Sequence, residues 1–175
     1  MIVVDTHLIG YLLLASEEDA VASSDAVASS DAVASSDAVA SSDAVTSSGA
    51  SRSRSTQAEQ ALRRDPRWAA PLLWRSELRN VLAVQVRAGR LTLSHAQAVM
   101  SEAEALMRGR EYAAPSLEVL RLAAKSGCTA YDCEFVSLAQ DLGVSLVTVD
   151  RQVLAAFPET ALSLDAFAGD AEEME

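Results

Sequence analysis

Lysine is almost absent from this 175-residue chain, occurring once, at Lys125; cysteine occurs twice, proline four times, and aromatic residues make up only 5%. No apolar run approaches the roughly 18 to 20 residues that span a bilayer, so no membrane-crossing segment is expected. The apolar stretch after Thr6 lacks a basic region before it, which argues against a secretory signal. Seven glycines and four prolines exclude a collagen-like chain. Cys128 and Cys133 form no CxxC and have no histidine beside them. They read as small core residues of a reduced, cytoplasmic protein rather than a disulfide framework or a zinc site.

What is present in excess is negative charge, −11 in total, and its position matters more than its sum. Nine acids belong to a repeat (Asp19, Asp25, Asp31, Asp37, Asp43) and to the C-terminal tail (Asp170, Glu172, Glu173, Glu175), leaving 16 acids against 14 bases. Between Arg52 and Arg90 the balance reverses, with nine arginines and three acids. That segment can meet a polyanion, or simply form a solvated helix surface.

From Asp19 to Ser48 the unit DAVASS recurs five times, with Thr46 replacing Ala once. Neither strand nor helix periodicity collects its valines into a stripe, because successive valines on a helix lie about 120° apart. One small aliphatic residue per unit cannot offset the ordering entropy. The segment from about 19 to 56 is therefore expected to be a flexible insertion in a single domain spanning 1–168, with 169–175 as an acidic tail. The roughly 135 remaining residues suffice to bury somewhat over 60% of the unfolded surface.

Outside the repeat, strand and helix patterns alternate. Short strands are expected at Met1–Val4, Trp68–Ala70, near Glu111–Ala114, at Ser145–Val149 and at Ala161–Leu164. Helices are expected from Leu8, over Gln57–Arg64 and Leu73–Arg87, from a Ser94 cap to about Leu106, over Ser116–Lys125, from a Thr129 cap to Gly143, and over Arg151–Phe157. This alternation indicates an α/β domain whose mainly parallel sheet is covered on both faces.

Ligands of such sheets bind beyond the carboxyl ends of the strands. Asp5 closes IVVD and Asp150 closes SLVTVD, while Glu77 and Asp132 start helices, whose N-termini face the same edge. Asn80 follows Glu77 by one turn. Singly, each acid is as readily a helix cap or a solvated residue; together they can form one site. Four mutually repelling carboxylates call for a hard divalent cation, Mg²⁺ or Mn²⁺ rather than zinc, able to activate water and offset charge on a phosphodiester.

MIVVDT, LLWRSELRNVL and SGCTAYDCEFVSLAQDLGVSLVTVDRQVL together resemble the PIN-domain ribonucleases, specifically the VapC-type toxins of toxin–antitoxin pairs. The resemblance implies a three-layer α/β/α sandwich with strand order 3-2-1-4-5. It also implies Mg²⁺ held by Asp5, Glu77, Asp132 and Asp150, with Thr6, Asn80 and Thr148 as polar supports behind them. An RNA substrate, a cognate antitoxin, no membrane and a homodimer follow from it too. Apolar residues on the middle helical pair (Leu91, Leu93, Val99, Met100, Leu106, Met107) suit a dimer face. His7 stands where many relatives carry Asn; it reads as a helix-start residue, with substrate contact or proton transfer as the functional alternative. His95 reads as ordinary surface.

A haloacid-dehalogenase-like phosphatase would need an Asp where His7 stands, and a receiver domain would need a lysine at a strand end, whereas Lys125 ends a helix. The remaining rival is a non-catalytic PIN fold that acts only by pairing with a partner protein.

Overall fold

The computed structural model describes residues 1–14 and 43–169, and the side chains of 1–14 and 54–169. Residues 19–42 of the repeat and the acidic tail from 170 lie outside the described residues. The elements run β1 (Ile2–Val4), α1 (6–14), α2 (Asp43–Arg64), β2 (Trp68–Pro71), α3 (Trp74–Arg87), α4 (Leu93–Met107), β3 (Glu111–Tyr112), α5 (Ser116–Ser126), α6 (Ala130–Leu142), β4 (Leu146–Thr148), α7 (Arg151–Ala156), β5 (Ala161–Ser163) and α8 (Leu164–Gly169).

The five strands among the described residues are all parallel, in the order β3-β2-β1-β4-β5. Successive side chains of a strand point to opposite faces. Every residue of β1, β2 and β4 is nevertheless buried, so helices cover both sides and the sheet is the middle layer. This explains why these strands read as unbroken apolar runs instead of alternating ones. Helix α6 packs on β1, β2 and β4, and its buried Cys133, Phe135, Val136, Leu138 and Ala139 form much of the core around Trp68, Trp74 and Leu78. Truncating a leucine in such a core, as in Leu78→Ala, costs about 2–5 kcal/mol.

The ends of α6 are set locally. Thr129 accepts the Asp132 N–H at 3.1 Å while the Asp132 carboxylate accepts the Thr129 N–H at 3.0 Å, a reciprocal capping box. At the other end Gly143 takes φ +64°, a left-handed conformation that glycine adopts without Cβ strain.

Several boundaries depart from the sequence expectation. Helix α2 begins at Asp43, not Gln57, and so takes in the last repeat unit and the Ser/Arg stretch. Its buried Ser55, Ala58 and Ala61 recur at helical spacing, and it packs on α8. Thr92, not Ser94, caps α4: its backbone is extended (ψ 156°) and its side chain accepts the His95 N–H. Helix α8 has no counterpart among the expected elements. Val99 and Met107, offered as part of a dimer face, are fully buried, because α4 folds back on α3 and β2; Leu91, Met100 and Leu106 pack partly against the same core, and only Leu93 is well exposed. Both cysteines are buried and free, and burial pushes the Cys133 thiol up, away from reactivity. Among the described residues no helix is long and apolar enough to cross a membrane.

Candidate active site

From β1 the chain builds outward to β2 and β3 on one side, then returns to place β4 and β5 on the other. The order reverses between β1 and β4, so a crevice opens beyond their carboxyl ends. A pocket stands there, lined by Asp5, Thr6, His7, Glu77, Asp132, Phe135, Leu146, Thr148, Asp150 and Val153. The four acids singled out from sequence thus come to one place, carried by the end of β1, the first turn of α3, the first turn of α6 and the start of α7. Thr6 and Thr148 lie there too. Asn80 does not reach the lining: three residues past Glu77, it is exposed on α3, whose Leu78 and Leu82 face the core.

Each carboxylate is held by hydrogen bonds within the protein. Asp5 is buried and caps α1, its Oδ1 accepting the N–H groups of His7 (2.8 Å) and Leu8 (3.2 Å). Its Oδ2 accepts the Thr148 hydroxyl and the Val149 N–H (3.4 Å), which ties β1 to β4. Asp150 Oδ1 caps α7 through Gln152 (2.7 Å) and Val153 (3.0 Å). Asp132 Oδ2 closes the capping box, and Glu77 Oε2 accepts the Thr6 hydroxyl. Asp5, Asp132 and Asp150 therefore cap helices and line the pocket at the same time. The positions of all four acids at helix starts also set them against the partial positive charge of four helix N-termini, which offsets part of their mutual repulsion.

That compensation is incomplete. Desolvation pushes the Glu77 carboxyl up, with the Asp5 and Asp132 charges adding to it against the Thr6 hydrogen bond and His7. His7 is raised chiefly by its hydrogen bond to Asp5, with Nδ1 3.6 Å from Oδ1, and further by the charges of Asp5, Glu77 and Asp150, against desolvation. Among the described residues, no lysine or arginine lines the pocket.

The donor chemistry fits a hard cation. Among the described residues, Glu77, Asp132 and Asp150 each keep one carboxylate oxygen without a hydrogen bond within the protein. Among the same residues, no three of the acids stand close enough together to ligate an ion directly. Mg²⁺ suits such spacing, since it keeps several of its waters and takes only one or two carboxylates directly. Sequence reasoning did not identify the apolar wall of Phe135, Leu146 and Val153, nor the neighbours of His7. Tyr11 and Arg54 meet across 43 residues, with no local pattern to announce the contact.

A parallel sheet in this order, with an acidic crevice at its switch point, defines a PIN-like α/β protein. Over 108 residues, covering 60% of this chain and 82% of the relative, the sequence is 32% identical to Ribonuclease VapC3 of Pyrobaculum aerophilum. The crystal structure of PAE2754 from the same organism matches with a TM-score of 0.56 at 25% identity, covering 68% of this chain and 88% of that one. No protein-family model matches the chain. The chain belongs to the VapC-type PIN ribonuclease family.

Proposed function

We propose that this chain is a Mg²⁺-dependent endoribonuclease hydrolysing RNA phosphodiester bonds, and that it serves in the cytoplasm as the toxin of a type II toxin–antitoxin pair under the control of a cognate antitoxin. The observation that carries this reading is the meeting of Asp5, Glu77, Asp132 and Asp150 at the β1/β4 switch point with no lysine or arginine beside them among the described residues. Family membership supports it. These four residues would hold Mg²⁺, or Mn²⁺, which the same oxygen donors suit. The ion, when bound, supplies water activation and offsets charge on the phosphodiester.

The chain's own residues prepare that chemistry. Thr148 and Thr6 fix Asp5 and Glu77 through their hydroxyls. Phe135, Leu146 and Val153 give the pocket an apolar wall that limits water and strengthens electrostatics inside it. His7 stands beside Asp5 at the mouth, its side chain exposed where a phosphate approaches.

The test is cleavage of RNA by the purified protein in Mg²⁺, lost in EDTA and restored by Mg²⁺ or Mn²⁺. The capping bonds on the carboxylates favour a second reading, a PIN fold acting only by binding a partner. Intact RNA after incubation with metal-loaded protein that still binds its antitoxin would decide for it. We also infer a homodimer. Leu93, Leu117 (85% exposed), Leu120 and Tyr131 are large apolar surface residues that a second copy could cover. A stable monomer in light scattering at micromolar concentration would count against it.

A further inference from the structure

The arginines between 52 and 90 are not equivalent in the structure. Arg63, Arg67 and Arg75 pair with Glu59, with Asp65 and with Glu104 plus Glu111. Arg54 has no carboxylate partner among the described residues. Its guanidinium lies 5.5 Å from the centroid of the Tyr11 ring, and its Nη1 donates to the phenol oxygen at 2.8 Å. Tyr11 stands one turn after His7 on the same face of α1, and their ring centroids are 6.4 Å apart with a 35° tilt. His7 lines the acidic pocket and exposes 65% of its side chain. A strip of imidazole, phenol and guanidinium therefore leads from the mouth of the pocket along α1 to Arg54.

The four carboxylates of the pocket repel a nucleic acid backbone, so affinity has to come from groups beside them. A free arginine on a surface loses much side-chain entropy on binding, but the Tyr11 ring and hydroxyl already hold Arg54 in place. Aromatic rings next to a guanidinium are the combination that recognises unpaired nucleotides, the cation meeting phosphate and the ring faces meeting bases. A duplex would present phosphate to Arg54 but keep its base faces from the rings. An acidic peptide would use the charge and leave the rings idle.

We propose that the His7–Tyr11–Arg54 strip is a binding track for single-stranded RNA, seating the nucleotide next to the one at the carboxylates, with Arg54 on its phosphate and the rings against its base. The track rests on the ribonuclease reading above and supplies the substrate contact that reading lacks.

The test uses the full-length protein and a fluorescein-labelled single-stranded RNA of mixed sequence, roughly 12 nucleotides long. Binding is measured by anisotropy in EDTA, and cleavage of the same probe by its kinetics in Mg²⁺. Arg54→Gln should weaken binding about tenfold at low salt, reduce the salt dependence by about one phosphate contact, and raise KM with kcat nearly unchanged. Arg54→Lys should recover the salt dependence. Tyr11→Leu should also weaken binding about tenfold, whereas Tyr11→Phe, which keeps the ring, should stay within about twofold.

Arg54→Gln with wild-type affinity and KM overturns the track and leaves the ribonuclease reading intact. Loss of affinity through Arg54 alone, equal for the labelled strand and for the same strand annealed to its complement and indifferent to Tyr11→Leu, overturns the base contact. Binding that depends on both residues in a protein that cleaves no RNA upholds the track and removes the ribonuclease reading. Thermal melting accompanies each variant; Tyr11 packs partly against the core, but Arg54 is exposed, so Arg54→Gln decides the matter if Tyr11→Leu fails to fold.

Discussion

Two acidic clusters begin from the same turn of α3 and end in opposite electrostatic states. At the first, Arg75 reaches Glu111 with Nε at 2.6 Å and Nη2 at 2.9 Å and meets Glu104 through Nη1, while Trp74 Nε1 donates to Glu111 at 2.8 Å. The forked guanidinium holds the Glu111 carboxyl below its ordinary value, against desolvation. Two residues on, Glu77 accepts a hydrogen bond only from the Thr6 hydroxyl among the described residues, and desolvation, with the charges of Asp5 and Asp132, pushes its carboxyl up, against His7. The first cluster is complete within the chain and fastens α3 to α4 and β3. The second leaves charge uncompensated at a strand-end crevice, where an external cation or substrate can reach it. An acid cluster marks function when the protein has withheld the base that would finish it.

The difference can be broken from either side. The largest expected effect is on catalysis: Asp150→Asn or Asp132→Asn should lower Mg²⁺-dependent RNA cleavage by about 10²–10⁴-fold while the melting temperature stays close to wild type. Wild-type rates in either variant would take that residue out of the proposed site. Next in size is the finished cluster. Glu111→Gln leaves Arg75 and Trp74 short of a charged acceptor whose side chain is only 15% exposed, and should destabilise the fold by about 1–3 kcal/mol in urea denaturation, with kcat unchanged. A variant as stable as wild type would mean that Glu104 and water replace Glu111 without loss.

How far the sequence discloses the two clusters differs for a physical reason. Asp5 and Asp150 are legible because each closes an apolar run and precedes a helix, and Asp132 because Thr129 stands three residues before it. Such signals are local. Periodicity shows strands but not their order, since pairing is decided by crossovers; the 3-2-1-4-5 order comes with the family resemblance and stands in the structure. The Arg75 junction joins residues 29 and 36 positions apart, and Arg54 reaches Tyr11 across 43, so neither leaves a pattern in the chain. Between Thr92 and Ser94 sequence cannot choose a cap, because either hydroxyl serves and only the backbone dihedrals decide. Helix α8 escapes sequence reasoning because it follows β5 with no turn residue between them.

A smaller effect separates the clusters by ligand. Mg²⁺ should raise the stability of the protein by about 1.4 kcal/mol at ten times its dissociation constant, seen as a melting shift that EDTA reverses. Asp150→Asn should diminish that shift and Glu111→Gln should not. An unchanged shift in Asp150→Asn would place the ion elsewhere.

The smallest effect is also the most diagnostic, because the two glutamates differ in sign. Glu111 has a lowered folded-state pKa, so at acid pH the native protein binds fewer protons there than the unfolded chain does. Its contribution is present above the ordinary glutamate pKa and is lost as pH falls through the folded value. Glu77 has a raised folded-state pKa, so the native protein holds its proton longer than the unfolded chain. Its contribution is complete below the ordinary pKa and is lost as pH rises through the folded value, where burying the charge beside Asp5 and Asp132 opposes folding. Glutamine is neutral throughout and removes each dependence. In EDTA, Glu111→Gln should therefore fall further behind wild type as pH rises from acid toward neutral, while Glu77→Gln should gain on wild type over the same change. Urea midpoints of the three proteins on the acid side of about pH 5 and again near neutrality measure both trends. If the Glu77→Gln curve ran parallel to that of Glu111→Gln, the two clusters would be electrostatically alike, and the claim that the pocket lacks its counter-charge would fail.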